Sequence, residues 1–363
     1  MYSFEPTDEQ KMVVSAAKKL AAKEFRNRMR DADEACEPAA EWTREGWELA
    51  LLPASIPEEY GGFGEHSAIT WALAAEELAW GDLSATLVLA APNLIAIPTY
   101  LCGTEEQKKE ILPLFCGDQF ACGSAALMEP HFGFDPNSLK TTAVAKDGNY
   151  ILSGIKCNVP FAQESDWMVV YASFEGQSQA FLVPKGAPGL AVKDRESNMG
   201  MKAFPMYSVE LNDCFIPASG RLGGAAGCNF QLLLGSSRVA LASMAVGVGR
   251  AAHEFAVDYA KNRKAFGEAI AQRQSIAFTL AEVITDIDAA RLLVWEAAWR
   301  LDNHQDATQE AYLAMNFAGD VALQACDRAV QILGGYGYTR DFPVELFLRN
   351  ARGFGVMEGI AIV

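Results

Sequence analysis

The chain is short of histidine. Four His in 363 residues, none in an H-x₃-H or H-E-x-x-H pattern, supply no ligand set for a tetrahedral metal site, so no metal is expected. The eight cysteines (Cys36, Cys102, Cys116, Cys122, Cys157, Cys214, Cys228 and Cys326) include no Cys-x-x-Cys pair. Scattered through apolar contexts, they read as free, mostly buried thiols of a reducing compartment. Long basic runs are absent too. Thirty Lys+Arg against 46 Asp+Glu give a formal charge of −16, which argues against nucleic acid and anionic membranes as partners. An anionic small ligand stays open, because a few local arginines and backbone N–H groups suffice to hold a phosphate.

Uninterrupted apolar runs are also missing. A membrane span needs roughly 20 predominantly apolar residues. Leu83–Cys102 is uncharged but broken by Ser84, Pro92, Asn93 and Pro98, and reads as buried core rather than a span. The first ten residues show neither a basic stretch nor an apolar one. No secretory signal is therefore expected, and the location implied is cytoplasmic, or the mitochondrial matrix in a eukaryote. Finally, Gly247-Val-Gly249-Arg-Ala-Ala252 matches the dinucleotide fingerprint but lacks the strand that must precede it. Its glycines fall inside a continuous helical pattern, which points to close helix–helix packing instead.

What is present is ordinary globular composition, 50% hydrophobic and 21% charged. That is enough for two or three cores at roughly 100–200 residues per domain. Residues 7–35 carry helical periodicity, with Thr7 as cap and Gln10 completing a capping box. A second helix is expected to end near Leu52, before the proline- and glycine-rich loop that begins at Pro57. Apolar helices follow at 67–80 and 85–101, and Thr104 caps another.

After Gly123 the texture changes to short β-branched and aromatic runs: Thr141–Val144, Tyr150–Leu152, Trp167–Tyr171, Ala180–Val183 and Val209–Leu211. Asp147-Gly148-Asn149 gives the best hairpin signal among them. Helical periodicity returns near Phe230, and Ile276, Leu280, Val283, Ile287, Ala290 and Val294 form one apolar stripe. Four helices are expected, at about 230–262, 273–301, 306–332 and 343–356. The expected fold class is α+β multidomain: an N-terminal all-α domain (1–120), a middle β-barrel or sandwich (121–228) and a C-terminal four-helix bundle (229–363).

The C-terminal stretch holds the clearest chemistry. Gln331-Ile-Leu-Gly-Gly-Tyr-Gly-Tyr-Thr is a glycine turn after a helix, where backbone N–H groups approach a ligand without a Cβ in the way. Glu358 stands between a short apolar run and Gly359. A lone carboxylate in apolar surroundings suits proton abstraction, because desolvation raises its basicity.

Taken with those segments, Leu51-Leu-Pro-Ala-Ser-Ile-Pro-Glu-Glu-Tyr-Gly-Gly-Phe-Gly, Glu76-Glu-Leu-Ala, Cys102-Gly-Thr-Glu-Glu-Gln-Lys, Leu127-Met-Glu-Pro, Tyr259-Ala-Lys-Asn-Arg-Lys-Ala-Phe-Gly and Met357-Glu-Gly complete a pattern. In this order and spacing the chain resembles the acyl-CoA dehydrogenases over nearly its whole length. The resemblance implies FAD between the β domain and the bundle, and a homotetramer built as a dimer of dimers. It implies an acyl-CoA or acyl-carrier thioester as substrate and electron-transfer flavoprotein as acceptor. Glu358 falls where the family keeps its general base, taking the α-proton while hydride passes from the β-carbon to flavin N5. The thioester oxygen would be held by the Glu358 N–H and a ribityl hydroxyl, an oxyanion-type arrangement. Arg263, Phe266, Gln274, Gln331, Gly334 and Gly335 match positions that contact the ADP half of a neighbouring subunit's FAD. Arg238 matches an arginine near the thioester and CoA; an ion pair with an acid is the alternative for it. Gly359 follows the base on the substrate side.

Around the flavin ring the resemblance implies contacts from Leu127, Met128, Val159 and Pro160, and here the chain departs from the pattern. Met128 replaces a hydroxyl residue, Pro160 has neither N–H nor hydroxyl, and Ile360 stands where a hydroxyl is expected. Phe134 replaces a serine of the CoA region, and the family's final helix is cut short at Val363. Three lost polar contacts at roughly 1 kcal/mol each amount to around a hundredfold in affinity. Three readings follow: an active FAD-dependent dehydrogenase with an unusual pocket, a flavin-poor subunit of a hetero-oligomer with a paralogue that completes a partner's FAD site, or a non-redox thioester lyase or isomerase using Glu358. Residues 85–94, apolar apart from Thr86 and Asn93, are candidates for the acyl pocket, though ordinary core packing explains them as well.

Overall fold

The computed structural model describes residues 5–363. Thr7 opens α1 (Asp8–Leu20) with both bonds of the capping box. A π turn at Ala21–Phe25 joins it to α2 (Arg26–Ala35), which ends on Cys36 in the left-handed conformation. Helix α3 (Ala40–Trp47) stops five residues short of Leu52; turns and a 3₁₀ segment at Pro53–Ser55 carry the chain onward. Helix α4 (Ala68–Gly81) follows, and then α5 (Leu83–Ala90) and α6 (Asn93–Cys102). The single helix expected at 85–101 is thus two, bent by 49° where Pro92 cannot donate to the preceding turn. Helix α7 (Glu105–Ile111) carries the second capping box, on Thr104 and Gln107.

The middle part is one mixed sheet. Its strands are β1 (Ser124–Ala126), β2 (Thr142–Lys146), β3 (Asn149–Pro160), β4 (Trp167–Phe174), β5 (Gln177–Pro184), β6 (Leu190–Arg195) and β7 (Met206–Ile216). The order is β1-β4-β2-β3-β7-β6, with β5 paired to β4. Strands β2 and β3 form the expected hairpin, and Asp147 and Gly148 both take positive φ (50° and 77°), as a two-residue primed turn demands. Strand β3 is far longer than Tyr150–Leu152 because two bulges interrupt it. The second lies between Lys156 and Val159, with Asn158 at φ 49°. Residues three apart on a regular strand face opposite sides; the extra residue of a bulge resets the alternation. Both Lys156 (0% exposed) and Val159 (1%) are consequently buried.

The bundle consists of α8 (Phe230–Asn262), α9 (Gln274–Asp302), α10 (Thr308–Leu333) and α11 (Val344–Ala351), with a two-stranded ribbon, β8 (Lys264–Ala265) and β9 (Glu268–Ala269), between α8 and α9. Helix α11 gives way to a 3₁₀ turn at Arg352–Gly355, so it is shorter than the expected 343–356. Helix α8 is long and apolar enough to cross a bilayer, but 94% of its apolar window is buried against neighbouring elements. Gly247 shows why the fingerprint there is no phosphate loop. A Cβ at Gly247 would lie 2.3 Å from the Glu76 carbonyl oxygen and 3.0 Å from Trp80 N, so the bare Cα is the surface on which α4 packs. Around that crossing the Glu76 carboxylate accepts from Arg250 (2.8 Å) and Arg291 (3.0 Å). Asp302, the last residue of α9, caps the N-terminus of α4 by accepting from the Ser67 hydroxyl and the Ala68 and Ile69 N–H groups. One continuous apolar core joins the N-terminal helices to the bundle, and a second lies within the sheet.

Candidate active site

Glu358 sits in the turn after the 3₁₀ segment that ends α11. It is not alone. Arg238, on the buried wall of α8, places Nε 2.6 Å from Glu358 Oε1, with the two side chains 10% and 19% exposed. The expectation of a solitary carboxylate among apolar groups is therefore corrected: the partner comes from 120 residues away, beyond the reach of any local pattern. Arg238 is also flanked by Tyr312, its guanidinium carbon 5.0 Å from the ring centroid, an attractive cation–π distance.

The Glu358 N–H is occupied as well. It donates to the Met128 thioether, with N to Sδ at 3.3 Å, so the donor expected for a thioester oxygen is spent on a side chain where the family pattern has a hydroxyl. Gly359 turns the chain at φ +77°, and a Cβ there would lie 2.7 Å from Leu127 Cδ2. Leu127 and Met128 thus abut the Met357–Gly359 turn, one against the Gly359 backbone and the other at the Glu358 amide.

Beside this turn lies a small apolar cavity of about 10 Å³, about one water in size. Its walls include Leu94, Tyr171, Phe230, Leu233, Leu234 and Ile362. Of the 85–94 stretch proposed from sequence, only Leu94 lines it; Thr86 is satisfied by the Asp82 carbonyl and Asn93 Nδ2 donates to the Ile362 carbonyl at 3.1 Å. Ile360 (4% exposed) and Val363 (1%) are buried with Ile362. Phe134 lies half-buried beside His131, ring centroids 6.2 Å apart.

The second set of sequence candidates gathers at the opposite end of α8. A groove of about 470 Å³ is lined by Tyr259, Arg263, Ile270, Leu333, Gly335 and Tyr336. Arg263 stacks over Tyr336, guanidinium carbon 5.7 Å from the centroid. A Cβ at Gly335 would meet nothing within 4 Å. Gln274, Gln331 and Gly334 belong to the adjoining ends of α9 and α10 but do not line the groove. Phe266 projects from the ribbon, 94% exposed.

Pro160 and Val159 end β3, both buried. The Pro160 carbonyl accepts from Ser124 Oγ at 2.6 Å, and Met128 O accepts from Cys157 N–H at 3.0 Å. Behind these two segments is a charge pair that reading the sequence missed. Lys156 Nζ lies 2.9 Å from both Glu129 Oε1 and the Leu127 carbonyl. Glu129 also accepts from the Thr141 and Lys140 N–H groups at 2.8 Å, and His131 Nε2 stands at 3.1 Å. Burial works against the Glu129 charge, but Lys156 and the N–H donors outweigh it and hold the carboxyl down at about 2. The available signal was a lysine inside an otherwise half-buried strand.

A helical unit, a sheet and a bundle, with a half-buried carboxylate near a small apolar cavity, are the fold and site of a class of oxidoreductases that act on CH–CH bonds. The chain belongs to the acyl-CoA dehydrogenase family: models of that family's N-terminal, middle and C-terminal domains match residues 7–118, 124–214 and 229–361. It is 36% identical over 367 residues to a probable acyl-CoA dehydrogenase, YngJ, of Bacillus subtilis, covering 98% of this chain and 96% of that one. Among solved structures it is similar to butyryl-CoA dehydrogenase from Megasphaera elsdenii (TM-score 0.89, 31% identity, 99% and 96% coverage). It is also similar to the FAD complex of PigA (TM-score 0.88, 25% identity, 98% and 95% coverage).

Proposed function

We propose that the protein removes the α-proton of an acyl-CoA thioester with Glu358 during FAD-dependent α,β-dehydrogenation. The observation that carries this reading is the Glu358 carboxylate, paired with Arg238 in a turn whose next residue, Gly359, lines the apolar cavity of Leu94, Tyr171, Phe230 and Leu234, in a chain of this family. For the reaction, Arg238 must release Oε1 so that the carboxylate faces the α-carbon. Met128 must release the Glu358 N–H so that it can hold the thioester oxygen as negative charge develops there.

The residues fit the two ends of FAD unequally. At the diphosphate end, the Arg263 fork and the uncovered backbone of Gly335 suit phosphate oxygens; Gln274, Gln331 and Gly334 stand nearby. At the ring end, Met128, Val159 and Pro160 offer apolar walls. FAD, when bound, supplies the acceptor for hydride from the β-carbon. With the diphosphate end reserved for a neighbouring subunit's cofactor, the working assembly is an oligomer, and electron-transfer flavoprotein is the proposed partner for reoxidation.

A second reading is favoured by one observation: Met128 takes the Glu358 N–H where a hydroxyl would serve the ring. That suits a flavin-poor subunit lending Arg263 and Gly335 to a paralogue's FAD. The test is the visible spectrum of the purified chain and its bleaching by acyl-CoA, in wild type and Glu358→Gln. Bleaching lost at least 1,000-fold in the variant, with thioester binding retained, supports the first reading. A colourless chain that yellows only with a co-expressed paralogue overturns it in favour of the second.

A further inference from the structure

We infer that Lys156 is a positioning residue for proton abstraction at Glu358, acting through Leu127 and Met128. This rests on the reading of Glu358 as the base.

The chain of contacts is short. Lys156 Nζ holds the Leu127 carbonyl and Glu129 Oε1, each at 2.9 Å. The neighbouring Cys157 N–H holds the Met128 carbonyl at 3.0 Å. The Leu127–Met128–Glu129 segment is therefore fixed to β3 through two backbone carbonyls and the Glu129 side chain. The forward side of the same segment meets the catalytic turn: Leu127 Cδ2 would lie 2.7 Å from a Cβ on Gly359, and Met128 Sδ takes the Glu358 N–H. A shift of the segment on its ion-pair side must be felt by the carboxylate-bearing turn, because packed interiors transmit displacement rather than absorb it.

The energetics favour a positional role. Replacing a fully buried ion pair by apolar groups of similar volume is often neutral or stabilising, whereas removing one partner is costly. Lys156 is wholly buried and sits where the β3 bulge turns it inward, away from every surface use. Glu129 has two backbone N–H donors besides the lysine, so its position does not rest on Lys156 alone. What only the ammonium group provides is the donor to the Leu127 carbonyl, and through it the fixed height of Leu127 and Met128 under the turn.

Hydrogen–deuterium exchange at the methyl group of acetyl-CoA in D₂O tests this. Acetyl-CoA has α-hydrogens and no β-carbon, so exchange reports proton abstraction without any hydride transfer. Wild type must exchange and Glu358→Gln must not; failure there overturns the base assignment itself. Given that, Lys156→Met is expected to slow exchange at least tenfold while acetyl-CoA binding by calorimetry stays within about threefold. Lys156→Met/Glu129→Gln removes both buried charges and is expected to regain wild-type Tm, yet remain at least tenfold slow, because the Leu127 carbonyl still lacks its donor. Either variant exchanging within twofold of wild type overturns the inference and leaves the pair a stabilising element only.

Discussion

Arg238 Nε lies 2.6 Å from Glu358 Oε1, and this pair joins the wall of α8 to the C-terminal turn. Removing one partner strands the other in a largely dry site. Arg238→Met should therefore cost about 2 kcal/mol of stability, below the 3–5 typical of fully buried pairs because both groups retain some exposure. In Arg238→Met/Glu358→Gln the losses should be less than additive by about 1 kcal/mol. Urea denaturation of the three variants checks both numbers.

Met128 is the most informative single position at the ring end. Met128→Thr frees the Glu358 N–H and restores a hydroxyl where the family pattern has one. One added hydrogen bond is worth about 1 kcal/mol, so FAD affinity should rise about fivefold. Titration of apoprotein with FAD, followed by flavin fluorescence, measures it. An unchanged affinity would mean that this position does not touch the ring.

At the far end of α8, Arg263→Ala should weaken FAD binding about 30-fold, since a charge-assisted bond to phosphate is worth roughly 2 kcal/mol. Arg263→Lys should recover only part of this, because a point charge replaces a bidentate fork. The same titration applies, with Phe266→Ala as a control for the exposed ribbon.

The buried Glu129 carboxyl has a sign that can be checked. Its pKa is held at about 2 in the folded protein against about 4.3 unfolded. Its stabilising contribution is thus present above about 4.5 and fades as pH falls through the folded value. The Tm difference between wild type and Glu129→Gln should be constant from about pH 7 to 5 and shrink below about 4.5. A gap that widens in acid would reverse the assignment.

Much of the architecture was legible because it rests on local rules. The capping boxes at Thr7 and Thr104, the Asp147–Gly148 turn and the stripe on α9 each depend on neighbours in sequence. The departures fall where distant groups decide. Strand β3 looked like three residues because Lys156, Asn158 and Pro160 break the usual alternation; the bulge that accommodates them is set by pairing with β7. The break at Pro92 could be seen in sequence, but its effect on α5 and α6 depends on packing. For the site, Glu358 was singled out through the family resemblance and an ion pair was one alternative for Arg238, but its partner, the Met128 contact and the Lys156–Glu129 pair all span the fold and leave no local trace.

The Asp302 cap has a consequence in time. The N-terminus of α4 is complete only when the last residue of α9 has been made, and the Gly247 groove that receives α4 comes late as well. At about 5–20 residues per second, some two hundred residues separate the two events, roughly ten to forty seconds of synthesis. Through that interval the first helices leave the ribosome with the apolar face of α4 uncovered and the N–H groups of Ala68 and Ile69 open to water. The nascent N-terminal part is thus the one most open to self-association, until α9 emerges to cap and cover it.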